Sequence, residues 1–260
     1  IERRFKMKDK NYYEKVASQE EFLSWYKEQD LPNYEKPSLT SDAVIFALNE
    51  ENKVCIVLIK RGSNPFRGAY ALPGGFVEPN ESTTEAIIRE LSEETGLEVF
   101  QEQVEQLATY STPGRDPRTW VVTVAHLAFL RSPQLKQLQA GDDASSVILA
   151  EVDFKTESVK VDGQLAFDHE QIVLDAIRRV KGHTEWKPIF LEILGEETCE
   201  FTLAQATDVI NQVCEPGREI LQQNFTKRFK RFVEDTGKQV RVEGAKRPST
   251  LYTLAKSLRK

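Results

Sequence analysis

Residues 74–99 read Gly-Gly-Phe-Val-Glu-Pro-Asn-Glu-Ser-Thr-Thr-Glu-Ala-Ile-Ile-Arg-Glu-Leu-Ser-Glu-Glu-Thr-Gly-Leu-Glu-Val. The pattern predicts a loop, a helix and a loop. Gly74 and Gly75 allow close backbone approach and φ angles that side chains disfavour. Pro79 and Asn80 make a turn ahead of the helix. Ser82 or Thr83 caps its N-terminus, and Glu85 is placed to complete a capping box with Ser82. Gly96 ends it in the left-handed conformation. Ile87, Ile88 and Leu91 form its apolar stripe. Glu90, Glu93 and Glu94 fall at i, i+3 and i+4, so their carboxylates share a face, and Arg89 lies within reach of Glu85 or Glu93.

Three like charges on one helix face repel one another. A hard divalent cation such as Mg²⁺ removes that repulsion, takes oxygen ligands and commonly bridges to substrate phosphates. A solvated acidic face would present the same three residues.

The spacing as a whole resembles the Nudix box. Gly75, Glu81, Arg89, Glu90, Leu91, Glu93, Glu94, Gly96 and Leu97 fit that pattern at every fixed or restricted position. The resemblance implies an α/β/α Nudix sandwich with a mixed sheet. It implies metal ligation by Glu90, Glu93 and Glu94 and by the Gly75 carbonyl. It also implies Mg²⁺-assisted attack of water on a diphosphate. In that chemistry Glu90 either holds metal or accepts the proton of the water, and Arg89 orients the glutamates.

A length of 260 residues suggests one large or two ordinary domains. With 40% hydrophobic and 29% charged residues, the chain reads as soluble and globular. No apolar run approaches the roughly 20 residues of a membrane span, so a membrane partner is not expected. Residues 1–6 lack the apolar core of a secretory signal. Cys55, Cys199 and Cys214 are odd in number and widely spaced, and only three histidines accompany them. That excludes an obvious zinc cluster and suggests a reducing cytoplasm. The net charge of −6 is unevenly spread. Residues 218–260 hold twelve Lys and Arg against four Asp and Glu, a net of +8, which leaves −14 on the rest. A basic end on an acidic body points to an anionic partner, nucleic acid first.

Residues 1–38 read as an N-terminal extension with a helix over 19–28. Apolar runs at 41–48 and 54–60 predict a hairpin. Arg61 closes its second strand, and the loop that follows, with Tyr70, resembles the approach to the box in ADP-ribose-type Nudix proteins. Arg61 and Arg67 would there reach a pyrophosphate by charge-assisted bonds, or form ordinary surface ion pairs. Two strands, at 105–111 and 120–130, flank a Pro-, Gly- and Arg-rich loop placed to cover a nucleotide. Arg115 and Arg118 are candidates to clamp phosphate or ribose, and Tyr110 or Phe76 to stack on adenine. His126 reads as a packed core histidine. A strand at 145–152 and a helix over 168–180, capped by Asp168 and stopped by Gly182, complete a domain at 39–184.

Residues 185–260 turn helical. Thr202 caps a helix through Val213, and Glu215-Pro216-Gly217 is a turn. A second helix is expected over 218–234, ended by Gly237, with Ile220, Leu221, Phe225, Phe229 and Phe232 buried. Short strands at 238–242 and 251–254 flank a basic turn. Helix, turn, helix and basic hairpin make a winged helix-turn-helix, its second helix in the major groove and its wing on phosphate or minor groove. The DNA contacts assigned on this reading are Arg218, Asn224, Lys227, Arg228, Arg231, Lys246 and Arg247. A helical dimerisation module with a solvated basic face is the competing reading.

A Nudix domain followed by Asn224-Phe225 and Arg228-Phe229 on one helix, and Lys246-Arg247-Pro248-Ser249 with Leu251-Tyr252 in the wing, resembles the bacterial NrtR family. These are Nudix-related transcriptional regulators of NAD metabolism. Thr226-Lys227-Arg228, Lys246 and Ser249 depart from the family's usual stretches. The resemblance implies a homodimeric cytoplasmic repressor of NAD biosynthesis or salvage genes. It would bind a palindromic double-stranded operator and be released by ADP-ribose held in the Nudix domain. The alternatives are a Mg²⁺-dependent ADP-ribose pyrophosphatase, or a protein that does both.

Overall fold

The computed structural model describes residues 9–29, 34–138, 144–183, 188–195, 199–242, 244 and 247–255. The chain divides into two compact units, residues 1–36 and 37–260. The first contains α1 (Lys10–Lys15) and α2 (Gln19–Lys27). Asp9 caps α1, and Ser18 and Glu21 form a capping box on α2. The Tyr13 and Trp25 rings stack at 4.7 Å.

The second unit opens with the predicted hairpin, β1 (Ser38–Leu48) and β2 (Val54–Arg61). There follow β3 (Tyr70–Ala71), β4 (Gly74–Phe76), α3 (Thr83–Thr95), β5 (Val104–Tyr110), β6 (Val121–Phe129), α4 (Ser132–Leu135), β7 (Ala144–Asp153), β8 (Ser158–Val159) and α5 (His169–His183). The strands order as β5-β6-β1-β2-β7-β8, with β3 beside β2 and β4 beside β1. β1 and β6 run parallel and the other pairs antiparallel, so the sheet is mixed. Alternation along β1 divides the core between two faces. Ala43, Ile45 and Ala47 pack with Ile87 and Leu91 of α3. Val44, Phe46 and Leu48 pack in the cluster that includes Ile172, Ala176 and Ile177 of α5.

Beyond α5 come β9 (Glu200–Thr202), α6 (Leu203–Val213), α7 (Gln222–Phe229), β10 (Val233–Val240) and β11 (Ser249–Leu254). The three strands form a separate sheet, β10-β11-β9. Thr202 caps α6 as predicted, in a box with Gln205. The domain boundary expected near 184–185, like Trp186, lies outside the described residues. The second helix is shorter than its apolar period suggested. The Asn211 side chain binds both the N–H (2.9 Å) and the C=O (3.0 Å) of Ile220, which holds that residue out of the helix. At the other end α7 gives way to one 3₁₀ turn, Lys230–Phe232, and then to β10. Gly237 ends no helix. It sits in β10 at φ 72, inside the register shift between Asp235 and Gln239. Gly182 likewise lies within α5, where its Cα faces open space and the missing side chain forces no break.

One apolar cluster continues from the sheet through α5 into α6 and α7, taking in Phe190, Ile210 and Phe225. Two polar ties reinforce it. Gln212 of α6 accepts from the Val54 N–H (3.0 Å) and donates to the Asn52 C=O (2.9 Å) in the β1–β2 turn. Lys181 of α5 pairs with Glu157 (2.8 Å) and with Glu215 (2.9 Å) in the α6–α7 turn. Burial works against the Lys181 charge, but bonds to Glu157 and Glu215 outweigh it and raise the pKa. Among the described residues no helix is long and apolar enough to cross a membrane.

Gln212→Ala removes two hydrogen bonds and strands the Val54 N–H. It is expected to cost about 1–2 kcal/mol, read as a lower urea midpoint at unchanged slope. Lys160→Ala, which breaks only an exposed pair with Glu151, is expected to move the midpoint little.

Candidate functional site

The glycine pair sets the site. β4 lies antiparallel on β1, with Ser41 opposite Gly75 and Asp42 opposite Gly74. Gly74 has φ 152, and a Cβ there would overlap the Ser41 carbonyl; a Cβ on Gly75 would overlap the Glu90 carboxylate. Only glycine admits this approach of loop, strand and helix. Ser41, fully buried, donates to the Thr83 C=O (2.8 Å) and ties β1 to the start of α3. The helix has the predicted ends: Ser82 as N-cap with Glu85 in the box, and Gly96 at φ 70.

Arg89 is the hub of the acidic face. It grips Glu81 with two nitrogens (2.8 and 3.2 Å) and also donates to Glu90 (2.8 Å), Glu93 (3.1 Å) and the Phe76 C=O (3.0 Å). Of its two expected partners it takes Glu93. Glu85 is engaged by Ser82 instead. The Arg89 bond holds Glu81 below the usual carboxylate pKa, and the bond to Glu81 pushes Arg89 up. Burial pushes Glu90 up, against the pull of Arg89. Glu94 accepts from the Gly74 N–H (2.8 Å).

These carboxylates and the Gly75 carbonyl are hard oxygen donors, the set that Mg²⁺ takes, so their chemistry fits the ion. Glu90 and Glu93 are bonded to Arg89 and Glu94 to the Gly74 N–H, and among the described residues no three acidic, His or Cys side chains converge on one point. Glu93 is 59% exposed and outside the cleft lining.

The cleft beside them has a volume of about 320 Å³. Its lining includes Glu90, Glu94, Arg89, Gly74 and Gly75, together with Arg61, Phe76, Arg115, Arg118, Phe167 and His169. Arg61 donates to the Pro65 C=O (2.8 Å) and lies over Phe167 at 5.0 Å. Arg115 is a floor residue, only 4% exposed, bound to Asp168 through two nitrogens (2.6 and 2.9 Å). Asp168 stands in the expected position just ahead of α5, where its C=O accepts from the Ile172 N–H (3.3 Å), while its carboxylate turns to Arg115. Arg118 is bound to the buried Asp116 (2.7 Å) and keeps 45% of its side chain exposed.

Two expected ligand residues are elsewhere. Tyr110 turns to α5, where its hydroxyl donates to Asp175 (2.9 Å) and its ring packs on the core. Arg67 is exposed on the β2–β3 loop and lines no part of the cleft. The sequence reading missed Phe167, His169 and Asp42. His169 accepts from the Leu72 N–H at Nδ1 (2.9 Å), which leaves Nε2 as the donor, 3.9 Å from Asp42 Oδ1. Asp42 itself accepts from Thr123 (2.6 Å). Burial lowers the His169 pKa, so the ring is neutral. His126 is buried, with Ser41 at 3.1 Å from Nδ1, and burial lowers its pKa as well.

In the C-terminal part, Gln222, Gln223, Asn224, Lys227 and Arg228 are exposed on α7, while Phe225 and Phe229 face inward. Arg228 donates to the Arg218 C=O (3.3 Å) and lies over Phe229. Arg231 lies over Phe232 at 4.5 Å. Arg218 and Arg247 are exposed, and Lys246 lies outside the described residues.

The model of the NUDIX domain matches residues 38–174, and that of the NrtR DNA-binding winged helix domain matches residues 191–254. A MutT/nudix family protein from Enterococcus faecalis has a similar structure, with a TM-score of 0.81 and 39% identity over 96% of this chain and 100% of that one. The ADPR responsive transcriptional repressor NtrR of Acinetobacter baylyi is 29% identical over 92% of this chain and 89% of its own. The structure of Shewanella oneidensis NrtR complexed with a 27mer DNA matches with a TM-score of 0.66 and 29% identity, over 84% of this chain and 93% of that one. The chain belongs to the Nudix family, and behind its Nudix domain it carries a winged helix of the NrtR DNA-binding type.

Proposed function

We propose that the protein is an ADP-ribose-responsive transcriptional repressor of NAD biosynthesis or salvage genes. Its Nudix cleft senses the ligand and its winged helix reads an operator. The observation that carries this reading is a single compact unit holding a Nudix cleft and a DNA-binding fold on one continuous core. The repressor named for Acinetobacter baylyi spans nearly the same length. The exposed face of α7 supplies polar and basic groups for the major groove, with Asn224, Lys227 and Arg228 among them, and Arg218, Arg231 and the wing residue Arg247 meet phosphate. A homodimer would present two such helices to a palindromic site. In the cleft, Arg61 meets the diphosphate by charge-assisted bonds, while Arg115 and Asp168 hold the floor.

The intact set of carboxylates favours a second activity, slow hydrolysis of the same ligand. Mg²⁺ bound by Glu90, Glu93, Glu94 and the Gly75 carbonyl would supply Lewis-acid activation. Arg89 orients the glutamates, and Glu90 either holds the metal or accepts the proton of the attacking water.

The reading is tested by binding to a promoter fragment of the genome's own NAD-biosynthesis genes at fixed salt. Tight binding is expected, weakened by ADP-ribose about tenfold or more, within the usual range of allosteric coupling. Absence of binding at any salt would leave the hydrolase as the function. Glu94→Gln keeps an acceptor for the Gly74 N–H but loses the charge. Any ADP-ribose hydrolysis is expected to vanish in it, with operator affinity unchanged within about twofold; loss of both would show that the two sites are not separable.

A further inference from the structure

Phe167 stands at the junction between β8 and α5 with φ 54, and Phe66, in the loop after β2, has φ 61. A bulky side chain in this left-handed region is a genuine outlier, and such residues cluster at functional sites. The two rings meet edge-on, 4.9 Å apart. His169 backs the Phe167 ring at 5.3 Å. Arg61 lies over it at 5.0 Å and Arg118 at 5.9 Å, and Arg118 also lies 5.7 Å from the Phe76 ring. Phe167 lines the cleft together with Phe76 and Arg118.

Arg118 is locked in place by its neighbour. The buried Asp116 accepts from Nη2 (2.7 Å) and Nε (3.1 Å) and also from the Arg118 backbone N–H (2.9 Å). A carboxylate gripping the edge of a guanidinium leaves its flat faces for stacking. The cleft thus has two chemistries. Glu90, Glu94 and Arg89 suit a metal and a diphosphate. Phe76, Phe167 and Arg118 offer flat π and cationic surfaces, which suit a heteroaromatic base.

Resting on the reading of the cleft as a nucleotide-diphosphate site, we propose that Phe167, with the Arg118 guanidinium, is the stacking platform for the purine base and makes binding depend on it. Phe76 is 45% exposed, whereas Phe167 is half-buried and braced by Phe66 and His169 before any ligand arrives. A braced ring loses little freedom on binding. Stacking accepts any flat base, so the platform separates a nucleoside diphosphate from a bare diphosphate rather than one purine from another.

The test is calorimetric titration of the full chain with ADP-ribose, ADP and inorganic pyrophosphate, in EDTA so that no hydrolysis intervenes. Wild-type protein is expected to bind ADP more tightly than pyrophosphate. Phe167→Leu is expected to weaken ADP and ADP-ribose about tenfold, within the range for loss of one base stack, and to leave pyrophosphate within about twofold. Phe167→Trp is expected to preserve the preference. Arg118→Lys keeps the charge without the flat face and is read by the same ratio of ADP to pyrophosphate affinity, which guards against a Phe167→Leu protein that fails to fold. Equal loss of all three ligands, or an unchanged ratio in both Phe167→Leu and Arg118→Lys, would overturn the platform. Wild-type protein that binds pyrophosphate but not ADP-ribose would overturn the underlying reading of the cleft.

Discussion

The structure depends on one close approach. At Gly74 and Gly75 the backbone of the loop passes between β1 and the Glu90 carboxylate with no room for a Cβ. That contact fixes the height of α3 over the sheet. From it follow the bond from the Gly74 N–H to Glu94, the bond from Ser41 to the first turn of α3, and the position of the Phe76 carbonyl that Arg89 grips. Arg89 then neutralises a face that would otherwise repel itself, and the same carboxylates remain as hard donors beside the cleft.

A second member carries this arrangement outward. α5 begins beside the cleft, where Asp168 holds Arg115 and His169 binds the Leu72 N–H. In its last turn Lys181 reaches Glu215 in the turn before α7. A helix packs as a rigid element, and a packed core has discrete arrangements rather than continuous ones. A ligand that prefers one arrangement of the Arg115–Asp168 floor therefore has a physical route to the α6–α7 turn. The Gln212 tie to the β1–β2 turn is a second route between the same two parts.

The sequence made the local features legible and left the long-range ones hidden. Ser82, Glu85, Gly96, Thr202 and the alternation of β1 act within a few residues of themselves, and the structure has them where the pattern placed them. The winged helix was readable for the same reason. Its second helix was overextended because Ile220, Phe225, Phe229 and Phe232 keep an apolar rhythm through segments of different conformation. The stop at its start is a side chain from α6, Asn211, which no local pattern announces. Tyr110 left the cleft because Asp175 captures its hydroxyl, and the Asp168 carboxylate turns from the helix end to Arg115, which is buried beside it. Phe167 carried no signal at all, since nothing in the sequence marks a phenylalanine for the left-handed region.

The central claim is that the cleft and the operator-reading helix are coupled. Coupling between two binding sites is reciprocal, so each ligand must change the affinity of the other by the same factor. The direct measurement is the ADP-ribose dissociation constant of the protein alone and of the protein saturated with operator DNA, at one salt concentration and in EDTA. The account predicts weaker ADP-ribose binding on DNA, by the same factor by which ADP-ribose weakens DNA binding. An ADP-ribose affinity that is identical with and without operator would contradict it.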